Sequence, residues 1–189
     1  MKDIIKIKNL GKDMICMKIK QKVDIVIDSF LVVIGMLIIV LAKLNYNDVK
    51  LLFIGTMISY AVLNLLQFLL TRKSKDYEGL YTFIASMVVG IVGIYFSFDK
   101  ENVLSVSIMS WVTMMAVIKF IKTDYYNDRR DRMWKLRVVT LVLFMLVGIL
   151  TSISLNYSTN VQVLVIGFFF LIHGILELVD PITKYLLSR

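Results

Sequence analysis

His173 and Glu177 stand four residues apart in an otherwise apolar run, a spacing that places them on one face of a helix. An imidazole and a carboxylate so arranged could exchange a proton near neutrality, where histidine ordinarily titrates. Asp28, Asn64, Gln67, Lys119 and Asp180 interrupt other apolar stretches. Ionisable groups inside a membrane segment are costly to place, which makes each a candidate for function. Read as a site, His173 and Glu177 form a proton-responsive pair in a vestibule open to the cytoplasm. Lys119 is then the countercharge, and Asn64 lies at the depth of His173. Read as scaffold, Lys119, Glu177, Asp180 and Asp28 reach to water from helix ends while His173 and Asn64 bond across helices.

Other chemistry finds little support. The sequence has one cysteine and one histidine, which exclude a disulfide framework and a multi-histidine metal centre. Neither a phosphate-cradling glycine loop nor an HExxH signature is present. Ser86, Ser105, Ser107 and Ser110 have only the single histidine to share as a base. Asp24, Asp28, Asp124, Asp128 and Asp131 would make an acidic metal set only if folding gathered them, and the interleaved Arg129, Arg130 and Arg132 read as a solvated mixed-charge loop. The expectation is a non-enzyme without metal or cofactor.

The elements that carry these residues follow from composition. Of 189 residues, 58% are hydrophobic and 19% charged, against a more even balance in soluble domains. A bilayer core needs about 20 apolar residues of helix. Six segments meet that length, at residues 25–44, 49–70, 79–98, 103–121, 136–155 and 161–179. They are apolar around their whole circumference. The reading is an all-α integral membrane protein with six transmembrane helices. A basic leader (1–24) precedes the membrane domain (25–180), and a short tail (181–189) follows it.

Orientation follows from Lys and Arg: 19 lie in the leader, the second and fourth links and the tail, and only Lys43, Lys50 and Lys100 on the other side. Cytoplasmic loops hold such an excess, so both termini are expected in the cytoplasm of a bacterial inner membrane. The net charge of +8 then serves topology and attraction to anionic lipid at the inner leaflet, with no nucleic acid as partner. The leader, in which seven lysines alternate with aliphatic residues, reads either as an interfacial helix or as a solvated basic segment, and not as a cleaved signal. Cys16 within it is expected to be a reduced bystander. Tyr125, Tyr126, Trp134, Tyr157 and Tyr185 fall at span ends, where aromatic residues anchor to the interface.

Val49, Val103 and Val161 align in one column of the even-numbered spans, as do Ile54, Ile108 and Ile166; Gly35, Gly90 and Gly148 align in the odd-numbered ones. The pattern is a two-helix hairpin of about 55 residues used three times, all copies parallel and related by rotation about the membrane normal. It places Lys119 in the column of Glu177. Small residues such as Ser86 and Gly90, four apart, would suit a homo-oligomeric or other membrane-protein contact.

This triple repeat, Trp134 opening the third copy before Gly148 and Leu150, and the run Val163-Leu-Val-Ile-Gly-Phe-Phe-Phe-Leu-Ile-His-Gly-Ile-Leu-Glu-Leu178 resemble the HdeD-like acid-resistance membrane proteins of bacteria. The resemblance implies a multipass inner-membrane protein of stress or acid tolerance, with no catalytic residues to carry across. The alternative from the residues alone is a small transporter or channel that uses the vestibule around His173 and Glu177. Apart from Lys43, Lys50 and Gln162 at their very ends, the outer halves of the spans offer only Ser, Thr and Gly, such as Ser97, Thr151 and Ser152, which disfavours an aqueous pore.

Overall fold

The structure, a computed structural model, describes the backbone of residues 2–40, 46–71, 77–95, 101–128, 133–155 and 159–187, and side chains within 20–40, 50–71, 77–95, 103–124, 127, 133–155 and 161–186. The side chains of the leader up to residue 19, Cys16 among them, lie outside the described residues. So do those of Tyr125, Tyr126, Asp128, Tyr157, the arginines at 129, 130 and 132, and Asp131.

Among the described residues all the elements are helices: α1 (Lys2–Val40), α2 (Tyr46–Thr71), α3 (Glu78–Tyr95), α4 (Glu101–Asp128), α5 (Trp134–Ser154) and α6 (Thr159–Leu187). Each contains a stretch long and apolar enough to cross a membrane. In hydrocarbon, backbone amides have no water to bond to, and a helix satisfies them within one segment. Hydroxyls inside the spans follow the same logic. Thr56, Thr113 and Thr123 each donate to the carbonyl four residues earlier, at 2.7 to 2.8 Å. α1 runs unbroken through the leader into the first span. Its 39 residues amount to about 58 Å of helix, about twice what a bilayer core needs.

Large apolar side chains stand exposed on every helix, among them Leu37, Leu51, Ile84, Phe120, Leu146 and Phe168. A soluble monomer rarely shows an apolar surface of this extent, whereas lipid tails cover one at no cost.

The helices form a closed ring. Each packs against its neighbours in sequence, α6 returns to α1, and α2 also touches α6 across the interior. The broadest contacts are α1–α6, α2–α3 and α4–α5, alternating with narrower ones within the hairpins. A three-fold rotation of one hairpin produces that alternation. The aligned glycines mark equivalent points on the three broad interfaces. Gly35 abuts Leu171 of α6, Gly90 lies against Ile58 of α2, and Gly148 against Val112 of α4. At Gly35 the neighbour is backbone: a Cβ there would run into the amide of Leu171 and lie 2.8 Å from the Gly167 carbonyl. Gly174 repeats this one turn and a half on, where an added Cβ would lie 2.8 Å from Val32 and 2.9 Å from the Asp28 carbonyl. Glycine lets α1 and α6 approach to backbone distance, so van der Waals contact replaces the missing hydrophobic drive between helices in lipid.

We call the end of the bundle where α6 leaves and the leader joins the proximal end, and the opposite one distal. Phe53, Met57, Leu104, Ile108, Val163 and Ile166 fill the distal and middle core, all of them buried. At the distal side Ser105 and Ser152 join α4 to α5 through their hydroxyls, 2.8 Å apart, and Gln162 donates to the Leu155 carbonyl at 2.8 Å.

Candidate functional site

All six helices send polar side chains into the proximal end of the bundle. α1 supplies Lys20, Asp24 and Asp28, α2 Asn64 and Gln67, α3 Glu78, α4 Lys119 and Lys122, α5 Arg137, and α6 Glu177, Asp180 and Lys184. Charged groups facing one another away from bulk water need partners, because each ion removed from water costs several kcal/mol unless it is paired.

The pairs bridge helices. Lys119 of α4 binds Glu177 of α6, and Lys122 of α4 binds Glu78 of α3. Arg137 of α5 holds Asp180 of α6 through Nη2 at 2.5 Å and Nε at 3.3 Å, the forked arrangement that suits guanidinium to carboxylate. Lys20 approaches Glu78 at 3.9 Å, and Lys184 approaches Asp180 at 3.5 Å. Gln67 of α2 donates its amide to Asp24 of α1. Pro181 lies buried in α6 beside the cluster and has no N–H to offer the Glu177 carbonyl four residues earlier.

The cluster surrounds two adjoining cavities of about 50 Å³ each. A water needs about 10–15 Å³ by this measure, so each lobe holds only a few. The α5-side lobe is charge-balanced: Lys119, Lys122 and Arg137 face Glu78, Glu177 and Asp180. The α1-side lobe is acidic, because it loses Arg137 and gains Asp24 and Asp28. Its apolar walls include Ile27, Tyr60 and Met115.

His173 lies deeper and lines neither lobe. It is 1% exposed and enclosed by aromatic rings from four helices. Trp111 and Tyr60 meet it edge-on at 5.1 and 6.2 Å, Phe144 lies tilted at 4.8 Å, and Phe169 stacks at 6.1 Å. Both ring nitrogens lack a hydrogen-bond partner among the described residues, and Nδ1 lies 3.6 Å from Glu177 Oε1. Trp111 is fully buried and anchors the cage by donating its indole N–H to Ser86 at 3.0 Å. These rings fill the bundle axis just distal to the charged cluster. Lys119 sits at the boundary, its Nζ 5.4 Å from the centroid of Phe144.

The residues read from the sequence thus divide. Lys119, Glu177, Asp180, Asp28, Asn64 and Gln67 meet around the cavities. Asn64 donates to its own helix, to the Tyr60 carbonyl at 2.8 Å, and not to His173. His173 contacts aromatic rings instead of an open vestibule. Lys122 and Arg137, which the sequence counts only among the cations that set topology, and Glu78, for which it offers no reading, lie at span ends; their convergence comes from the ring of helices. Asp24 and Asp28 stand in the bundle while Asp124 is exposed. Among the described residues no group of three or more His, Cys, Asp or Glu is disposed to hold a metal ion.

No protein family matches this sequence, and comparison with curated proteins and with solved structures returns no match.

Proposed function

We propose that this multipass membrane protein is a non-enzymatic, one-ended receptacle. Its polar chamber opens to the cytoplasm, and its aromatic core blocks passage to the other side. The observation that carries the reading is the succession along the axis: an ion-paired chamber built by all six helices, then a cage of Tyr60, Trp111, Phe144 and Phe169 around His173. A channel needs a continuous polar lining or a gate that wets. Here the polar lining ends at the rings. An enzyme would need a nucleophile beside a base, whereas the imidazole nitrogens bond to no hydroxyl or thiol among the described residues.

The excess of Lys and Arg at the proximal side supports a bacterial inner-membrane location with cytoplasmic termini and contact with anionic lipid. The resemblance to HdeD-like proteins supports a role in stress or acid tolerance, in which the chamber senses or holds a solute without moving it across.

The test is reconstitution of the full chain in liposomes with a pH-sensitive dye and, separately, single cysteines in a Cys16→Ser background. No dissipative proton or ion flux is expected. A cysteine at Ser105 is expected to react with a membrane-impermeant thiol reagent from neither side through the axis. Flux that disappears in Glu177→Gln would replace this reading with a transporter that uses the same chamber.

A further inference from the structure

We propose that the α1-side lobe of the chamber is a binding site for a small ammonium-type cation, with the Asp28 carboxylate as its principal anchor; this rests on the reading of the chamber as a receptacle. Asp28 is 8% exposed, lines the lobe, and is neither hydrogen-bonded nor ion-paired among the described residues. It stands alone in that respect among the acids of the cluster. Glu78, Glu177 and Asp180 each bind a lysine or arginine, and Asp24 accepts from Gln67. Lys119 and Lys122 also line the lobe, but their charges are engaged by Glu177 and Glu78. Asp24, four residues earlier on the same face of α1, has the Gln67 amide and Lys20 one turn before it, which leaves Asp28 as the carboxylate of the cluster that a further cation could serve.

The walls select the kind of cation. Tyr60, Met115 and Ile27 share the lining of the lobe with the acids, along with Thr82 and Gln67. Carboxylates together with an aromatic ring and apolar side chains suit an organic ammonium, which brings N–H donors and a hydrocarbon face. A hard metal cation requires several oxygens converging on one point, and among the described residues no group of three or more His, Cys, Asp or Glu is so disposed. About 50 Å³ admits a ligand of only a few heavy atoms, such as ammonium or a one- or two-carbon primary amine.

The experiment uses the purified full chain in detergent at fixed ionic strength. Apparent melting temperature is followed against ammonium, methylammonium, tetramethylammonium, sodium and potassium chlorides, and radiolabelled methylammonium binding is measured directly. The result expected is a saturable rise of roughly 5 °C with ammonium and methylammonium. Sodium and potassium should give none, and tetramethylammonium, which is larger and lacks N–H donors, should give none. Asp28→Asn is expected to melt no lower than the parent and to lose both the rise and the radiolabel. Ser152→Ala, at the distal side and lining neither lobe, is expected to keep binding within about twofold, as distant sites act independently. The radiolabel arm stands if a variant melts early. Equal shifts with sodium or potassium would overturn the proposal, as would binding that survives Asp28→Asn. So would stabilisation by acid alone with no response to amines, which would make Asp28 a proton site. Amine binding accompanied by amine flux in liposomes would overturn the one-ended reading and leave this inference standing; absent binding without flux does the reverse.

Discussion

Nδ1 of His173 lies 3.6 Å from Oε1 of Glu177, yet that oxygen is already taken by Lys119, and the imidazole is held by rings. Packing therefore dominates at this position. His173→Ala should cost about 3 kcal/mol, the range for emptying a large buried side chain. His173→Phe keeps the aromatic volume and should cost less than about 1.5 kcal/mol. Thermal unfolding in detergent measures both; equal losses in the two variants would show that the ring nitrogens matter.

Lys119 and Glu177 are an inter-helix pair with each side chain under one-fifth exposed. Removing one partner leaves the other charge without compensation, so Lys119→Met or Glu177→Gln alone should cost about 3 kcal/mol. The double variant should recover most of that loss. A double-mutant cycle reads the coupling directly, and a coupling near zero would mean the two charges are solvated separately.

Two glycines should respond in opposite directions. Gly35→Ala forces a methyl against the α6 backbone and should destabilise by about 1–3 kcal/mol. Gly55 has nothing within 4 Å of an added Cβ, so Gly55→Ala should stabilise by about 0.5–1 kcal/mol through helix propensity. Denaturation in mixed micelles compares the pair. A harmless Gly35→Ala would mean that α1 and α6 pack less closely than described.

Topology is open to a direct check. In a Cys16→Ser background, a cysteine at Asn127, which is exposed at the end of α4, should react only from the cytoplasmic face. A cysteine at Asn47 should react only from outside. The reverse pattern would invert the chamber.

Much of the architecture is legible as helical period and length, since six apolar runs need only the thickness of a bilayer to be recognised. The Lys119 and Glu177 columns could be matched because the repeat puts both at one depth. The rest of the chamber is not a property of any one segment. Glu78 and Arg137 sit at helix ends, where a charge ordinarily turns to water, and only the neighbouring helices turn these two inward. The cage around His173 depends on the relative heights of Tyr60, Trp111 and Phe144 on three other helices. Nothing in the spacing along a single helix encodes that. Asn64 illustrates the converse: its amide bonds to its own backbone, an option open to any asparagine in a helix, so equal depth with His173 brings no contact.

The broad contact between α1 and α6 joins the first helix of the bundle to the last, with no loop to hold them together. A chain that enters the membrane from its N-terminal side makes every other neighbour contact before this one. Until α6 arrives, α1 has only α2 as a ring neighbour, the chamber lacks a wall, and Lys119 lacks Glu177. Assembly therefore ends where it began, and a ribosome stalled before α6 would leave five helices that surround no compartment.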